Sequence, residues 1–164
     1  KKTNMRVILL AVFVALFAYV VSFDCGQAYD KGKALGPKNC VTVQGSSVVD
    51  STAKAFAVME AAAKSAGVTL KVNSGFRTMA EQTHLYNCYQ TKKCNNGNLA
   101  ARPGFSNHQS GLAMDIACAN TSVFTWMKNN ASKYGFIRTV PSENWHWEHR
   151  PGQRCNAVVS YACK

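Results

Sequence analysis

Two short segments of this chain concentrate residues whose types suit metal chemistry. Residues 106–115 and 143–149 hold three of the four histidines and three of the eight acidic residues. Imidazole and carboxylate groups are the ligands that Zn²⁺ accepts in catalytic sites, where a fourth position stays open for water. This clustering, in a chain so poor in carboxylates, predicts a zinc site formed by His108, Asp115 and His146.

The spacing of these candidates indicates how distant segments would meet. Six residues separate His108 from Asp115, and Gly111 between them permits a turn. Asp115 falls in a predicted buried strand. His146 follows 31 positions later, on a second predicted strand over residues 145–148. A loop histidine, a strand aspartate and a strand histidine can then converge on one ion.

Alternation along the second strand selects the side chains that face the ion. Successive side chains of a strand point to opposite faces, so His146 and Glu148 share one face. Glu148 and His149 are left open: either steadies a ligand from outside the coordination shell, or forms a surface ion pair with Arg150. A single histidine would more often be an ordinary loop or core residue, and His84, which lacks matching partners, is expected at the surface.

Two charged residues are candidates for the chemistry itself. Glu143 precedes His146 by three positions, where a carboxylate can take a proton from a metal-bound water molecule and deliver it to a leaving amine. Arg77 lies where a predicted strand ends and a helix begins. Its guanidinium could stabilise a developing oxyanion or hold a substrate carboxylate through two parallel hydrogen bonds.

Length and charge restrict the partner classes. The 164 residues, 47% of them hydrophobic, predict one domain with a buried core. The formal net charge of +11 at pH 7 comes from scattered lysines and arginines. It favours polyanions such as an anionic cell surface or an acidic wall polymer, or reflects a merely soluble basic protein. The sequence contains no motif that reads RNA or DNA, so nucleic acid is not expected as a partner.

The N-terminus has the pattern of a secretory signal peptide. Basic residues precede an apolar run over residues 7–21, and small residues follow it. We therefore expect residues 1–28 to be a signal peptide and residues 29–164 to be a single domain. A cleavage boundary after Ser22, or an uncleaved anchor, is the alternative to cleavage after Ala28. A cleaved leader predicts a secreted protein without stable membrane insertion.

Seven cysteines fit an exported protein whose disulfides form in an oxidising compartment. Loss of Cys25 with the leader would leave six, enough for three disulfides, whereas the earlier boundary leaves an odd thiol. Cys88 and Cys94 flank a short loop and are expected to pair. Cys155 and Cys163 are expected to fix the C-terminal end.

Helices and strands are mixed without a regular βαβ rhythm, which predicts an α+β fold. Thr78 and Glu81 form a capping box at the start of one helix. The lead-in over residues 29–48 has little periodicity and is expected to be irregular. The expected helices cover residues 51–66, 79–89 and 122–134, and the expected strands cover residues 68–72, 112–117, 136–140 and 145–148.

Five segments form an ordered set of motifs across about residues 50–150. They are SGFRT at 74–78 with Gln82, ARPG at 101–104, SxHxxGxAxD at 106–115, the stretch from Trp126 to Gly135 and Phe136, and ExWH at 143–146. Together they resemble the VanY-type D-alanyl-D-alanine carboxypeptidases, which belong to the M15 metallopeptidases.

The resemblance implies a fold and a metal centre. The fold would be a small antiparallel sheet flanked by helices, shared with the Hedgehog signalling domain and here stapled by disulfides. One Zn²⁺ per chain would be bound by His108, Asp115 and His146. Glu143 would be the catalytic base that activates the metal-bound water for attack on the scissile amide.

The resemblance also implies a substrate. Arg77 would bind the substrate carboxylate or polarise the scissile carbonyl, and Gln82 and Ser106 would lie in the pocket. The leading hypothesis is a secreted, monomeric D,D- or L,D-carboxypeptidase that trims peptidoglycan stem peptides at the anionic cell wall. An endopeptidase of the same superfamily is one alternative, and Arg77 favours the carboxypeptidase. A non-catalytic zinc-containing binding module is another, against which Glu143 and Arg77 argue.

Overall fold

The computed structural model describes residues 21–118 and 121–152, which form three α-helices and seven β-strands. The helices are α1 (Asp50–Ser65), α2 (Met79–Thr91) and α3 (Thr121–Asn130), and the strands are β1 (Phe23–Asp30), β2 (Lys33–Val43), β3 (Ser46–Val49), β4 (Val72–Ser74), β5 (Ala113–Ile116), β6 (Phe136–Ile137) and β7 (His146–His149). Two antiparallel sheets have the strand orders β1-β2-β3 and β4-β5-β7-β6. This is the α+β class that the sequence predicts.

The prediction of an irregular lead-in over residues 29–48 is wrong, because most of these residues form strands of the first sheet. In the pairing of β2 with β3, Val41 lies opposite Val48, and both valines are buried. Gly32 and Gly45 take φ values of 81° and 86° in the two turns that join the strands. Glycine adopts such values without steric cost. The sequence prediction failed here because the strands are stabilised mainly by pairing with one another, and local apolar alternation is weak.

Strand β1 crosses the position after Ala28 at which cleavage is expected. Ala28 is fully buried, and the sulfur atoms of Cys25 and Cys40 lie at disulfide-bonding distance between β1 and β2. The alternative boundary after Ser22 would keep the whole strand, and we propose that boundary for a processed form. Residues 1–20 lie outside the described part of the chain. None of the helices in the described ranges is long and apolar enough to cross a bilayer.

The other cysteines divide into three groups. The sulfur atoms of Cys88 and Cys94 lie at disulfide-bonding distance, as the loop between them predicts. Cys118 has no disulfide partner among the described residues. Cys155 and Cys163 lie outside the described residues, and their pairing stays a prediction.

The second sheet separates the hydrophobic core from the face that carries the candidate ligands. Met114 of β5 and Trp147 of β7 belong to the core, so strand alternation turns Asp115 and His146 to the other face. Each large apolar side chain that is fully buried contributes roughly 1.5–3 kcal/mol to stability, and this packing fixes the two strands. The core residues supplied by α1 and α3 include Phe56, Met59, Ala63, Val123 and Met127.

Helix α2 begins at the predicted capping box. The backbone N–H of Glu81 donates to Thr78 Oγ1 at 3.2 Å, and the backbone N–H of Thr78 donates to Glu81 Oε2 at 2.7 Å. These two bonds satisfy backbone donors that have no partner within the helix. The capping box therefore fixes the chain directly after Arg77.

The remaining differences from the sequence prediction lie at the ends of elements. Helix α3 ends at Asn130 and continues as a 3₁₀ turn through Tyr134, where an α-helix was expected. Strand β4 begins at Val72, where the predicted strand ends, and the N–H groups of Gly67 and Val68 still donate back to carbonyls at the end of α1. Element ends depend on such local hydrogen bonds and are the least certain part of a sequence prediction.

Candidate metal centre and active site

The register between β5 and β7 brings the three candidate ligands together. Asp115 pairs directly with His146 across the two antiparallel strands. Asp115 Oδ1 lies 3.3 Å from His146 Nδ1 and 3.3 Å from His108 Nε2. One ligand atom from each of the three residues lies within 4.8 Å of the other two. Two imidazole nitrogens and one carboxylate oxygen in this arrangement can share a divalent cation.

A tight turn places His108 on this cluster. The 3₁₀ turn Asn107–Ser110 ends at Gly111, which has a φ of 80°. A β-carbon at Gly111 would lie 2.4 Å from a methyl group of the last residue of β3, so close packing requires glycine here as well. His108 Nδ1 lies 2.8 Å from the carbonyl oxygen of Gly75. Because a carbonyl accepts hydrogen bonds, Nδ1 carries the proton, and Nε2 is left facing Asp115.

The two ring nitrogens of His146 have different surroundings. Nδ1 faces Asp115 and lies 3.8 Å from Glu143 Oε2, whereas Nε2 lies 3.5 Å from Glu148 Oε1. Both candidate imidazoles therefore turn one nitrogen toward the cluster and the other toward an acceptor. Histidine ligands of protein-bound metals commonly have this arrangement, so the residues fit a Zn²⁺ ion.

The charges within the cluster reinforce one another. Burial acts to raise the pKa of Asp115, but hydrogen bonds with His108 and His146 outweigh it and hold the pKa well below its usual range. Burial acts to lower the pKa of His146, but the bonds and charges of Asp115 and Glu148 outweigh it and raise the pKa to about 9. Without a metal, the site at neutral pH therefore holds an anionic aspartate beside a cationic histidine.

Glu143 lies in the turn that precedes β7 and borders the cleft. Its carbonyl oxygen accepts a hydrogen bond from the His146 N–H at 3.3 Å, and its own N–H donates to the Val140 carbonyl at 3.1 Å. The Glu143 side chain is 35% exposed, whereas that of His146 is 5% exposed. A carboxylate that lies beside the cluster and is still open to water is suited to proton transfer.

Arg77 borders the same cleft and is held by two other side chains. Its Nη1 donates to Gln82 Oε1 at 2.9 Å, and its Nη2 donates to Ser74 Oγ at 3.2 Å. Burial lowers the pKa of Arg77, and nearby carboxylates, Asp115 foremost, act in the opposite direction. A guanidinium remains charged in proteins, so the cleft presents a fixed cation to an anionic group.

The two other predicted pocket residues differ in position. Gln82 is fully buried, and its Nε2 donates to the Ala101 carbonyl at 2.6 Å. Since its Oε1 is already bonded to Arg77, the structure places Gln82 behind the guanidinium rather than on the cleft surface. Ser106 lines the cleft and is 7% exposed.

The cluster opens into a cleft of about 730 Å³. The cleft walls include three apolar side chains, Leu99, Phe105 and Trp145, which are 80%, 40% and 46% exposed. Charged groups converge between these walls. A concave surface that combines apolar walls with a few convergent polar groups is typical of a ligand site.

The structure adds contacts that sequence reasoning did not find. Glu148, which the sequence left open, is fully buried and accepts hydrogen bonds from the side chains of Asn107 and Thr139. In the sequence, only the strand face that Glu148 shares with His146 indicated a contact between them. The contacts with Asn107 and Thr139 depend on the tertiary fold. His84, expected at the surface, is exposed, and its Nε2 lies 3.5 Å from Cys88 Sγ.

Similarity to known proteins covers the same region. Residues 45–152 match the family model described as VanY, D-alanyl-D-alanine carboxypeptidase. The chain is 31% identical over 114 residues to a D-alanyl-D-alanine carboxypeptidase of Enterococcus faecalis, which covers 54% of this chain and 42% of that protein. It is 43% identical over 61 residues to the peptidoglycan L-alanyl-D-glutamate endopeptidase CwlK of Bacillus subtilis, which covers 36% of this chain and 35% of that protein. The chain thus spans less than half the length of these relatives.

Solved structures of similar fold come from the same family. The chain superposes with a TM-score of 0.55 on a mutant of the vancomycin-resistance D,D-pentapeptidase VanY, solved in complex with Zn(II), at 26% identity over 66% of this chain and 75% of that one. The family match includes all three candidate ligands, the cleft glutamate and the cleft arginine. On this evidence the chain belongs to the VanY family of D-alanyl-D-alanine carboxypeptidases, within the M15 metallopeptidases.

Proposed function

We propose that this protein is a zinc-dependent D-alanyl-D-alanine carboxypeptidase that acts on peptidoglycan stem peptides outside the cell. The observation that carries the proposal is the convergence of His108, Asp115 and His146, whose ligand atoms lie within 4.8 Å of one another. Glu143 and Arg77 border the same cleft. A net charge of +11 suits work beside an anionic wall polymer.

The metal and Glu143 have complementary roles in this proposal. Zn²⁺, when bound by the three ligands, supplies a Lewis acid that acidifies water and polarises a carbonyl oxygen. Glu143 takes the proton of the attacking water and later delivers it to the leaving amine. The distance of 3.8 Å between its Oε2 and His146 Nδ1 supports this role.

Arg77 supports cleavage at a free C-terminus. Its guanidinium is held by Gln82 and Ser74, so it is already oriented before a substrate binds. A guanidinium can hold a carboxylate through two parallel hydrogen bonds. An exopeptidase needs such a contact with the C-terminal carboxylate, whereas an endopeptidase has an amide at that position.

Product identity tests this proposal. A stem pentapeptide ending in D-Ala-D-Ala should release free D-alanine, and the same peptide with a C-terminal amide should react at least about 100-fold more slowly, because a charged pair at the active site is lost. Mass spectrometry of the products would measure both rates. Internal fragments would support the endopeptidase, the alternative that the CwlK similarity favours, and zinc binding without any product would support a binding module.

Zinc binding should release a proton from His146. The pKa of His146 in the metal-free protein is about 9, so the ring is protonated at neutral pH, and a metal binds the neutral ring. We expect release of about one proton per bound ion at pH 7.5, declining as the pH rises through 9. Calorimetric titrations in two buffers of different ionisation enthalpy would report it. Equal binding enthalpies in the two buffers would contradict the expectation.

A further inference from the structure

Glu148 is a buried carboxylate that the proposed reaction does not use. It is fully buried, although carboxylates are rarely buried unless they are paired. It lies on β7 two residues after His146, and strand alternation places both side chains on the same face of the sheet. Ala113 is its cross-strand partner on β5, and this small side chain leaves room for the carboxylate next to the metal ligands.

One oxygen of Glu148 forms an ion pair with Arg150, a partly exposed residue. Arg150 donates to Glu148 Oε2 from Nε at 2.7 Å and from Nη2 at 2.5 Å. The Arg150 side chain is 38% exposed. This pair accounts for the burial of the charge, but it involves only Oε2 and does not explain why the other oxygen points inward.

The second oxygen connects the segments that carry two candidate ligands. Asn107, the neighbour of His108 in the chain, donates to Glu148 Oε1 from Nδ2 at 2.5 Å. The hydroxyl of Thr139 donates to the same oxygen. The same Oε1 lies 3.5 Å from His146 Nε2. The turn that bears His108 and the strand that bears His146 therefore meet at a single carboxylate oxygen.

The environment of His146 Nε2 makes this contact important. The nitrogen is buried, and among the described residues no partner meets it with the short, well-aligned geometry of an ordinary hydrogen bond. Glu148 Oε1 is the acceptor toward which it points. An Nε2–H directed at a carboxylate fixes the tautomer of the ring, and the lone pair on Nδ1 is then free to bind a metal.

We propose that Glu148 is a positioning residue for the metal centre. It orients the His146 ring through Nε2 and, through Asn107, holds the turn that carries His108. Without this carboxylate the three ligand residues are still present, but two of them lose the contact that holds their orientation. The inference rests on the zinc site of the proposed function and adds a residue outside that site.

Zinc affinity of three variants tests the inference. Glu148→Ala should weaken zinc binding by about 10- to 100-fold, the usual effect of removing a partner of a metal-bound histidine. Glu148→Gln should weaken it less, because the amide oxygen can still accept from Asn107 and Thr139 and can still face His146 Nε2. Arg150→Gln removes the positive charge at Oε2, which should lower stability because the buried carboxylate loses its counter-ion, but it leaves the contacts of Oε1 in place and should weaken zinc binding less than Glu148→Ala does. Competition with a chromophoric chelator would give each dissociation constant.

The unfolding temperature of each zinc-free variant separates positioning from general stability. A purely structural Glu148 would lower that temperature and leave the zinc affinity of the folded protein unchanged, which would overturn the inference. An effect of Arg150→Gln as large as that of Glu148→Ala would overturn it too. If Glu148→Ala does not fold, the nearly isosteric Glu148→Gln decides.

Wild-type protein that binds no zinc would refute the proposed function itself, whereas zinc-binding wild type with unaffected Glu148 variants would refute only this inference.

Discussion

Replacement of Glu143 by glutamine should lower kcat by about 100- to 10,000-fold and leave the zinc in place. The amide keeps the size of the side chain but accepts no proton, so the attacking water loses its base. Glu143 Oε2 lies 3.8 Å from His146 Nδ1, too far to make the carboxylate a necessary support for the ring. Metal content should therefore remain at the wild-type level. Steady-state release of D-alanine, measured alongside zinc by elemental analysis, checks both expectations.

A matched control removes the same charge elsewhere. Glu60 lies on α1, where its carboxylate accepts a hydrogen bond from Gln44 at 2.6 Å, and it does not line the cleft. Glu60→Gln should leave kcat within about twofold of wild type, since surface substitutions have small effects. Wild-type turnover by a zinc-loaded Glu143→Gln protein would show that another group accepts the proton.

Replacement of Asp115 by alanine should remove both the zinc and the activity. Asp115 Oδ1 lies 3.3 Å from each of the two candidate histidine nitrogens. Its loss therefore removes the central candidate ligand atom and the negative charge between the two imidazoles. The loss of affinity should exceed the roughly 10- to 100-fold expected for residues outside the coordination shell. Zinc content after dialysis and D-alanine release are the two measurements.

Asp50 supplies the control for this experiment. It begins α1 and forms an exposed ion pair with Lys54 at 2.7 Å, which contributes at most about 1 kcal/mol. Asp50→Ala should keep its zinc and its activity. Stoichiometric zinc in dialysed Asp115→Ala protein, with normal turnover, would exclude Asp115 as a ligand.

The sequence predicted the features of the site that depend on local patterns. Period-two alternation in β7 placed His146 and Glu148 on one face, and the capping box at Thr78 predicted where α2 begins. The residue types at His108 and Asp115 pointed to a shared cation. The structure agrees with the alternation and the capping box because each depends on a few neighbouring residues, whereas the shared cation stays a prediction.

Features that depend on pairing between distant segments were not predictable in the same way. The sheet formed by β1, β2 and β3 lacks strong alternation, and its turns depend on glycines with positive φ. Gln82 was expected in the pocket, but its two hydrogen bonds, to Arg77 and Ala101, bury it behind the guanidinium. The sequence left two partners open for Glu148, a metal ligand or Arg150. In the structure one oxygen faces His146 and the other faces Arg150.

The position of the metal is the most direct test of the central claim. Crystals of the zinc-loaded protein, measured on both sides of the zinc absorption edge, should show an anomalous peak about 2.0–2.2 Å from His108 Nε2, an Asp115 oxygen and His146 Nδ1. That peak should lie beside Glu143, at the base of the cleft. A zinc peak at another site, with these three side chains left without metal, would contradict it.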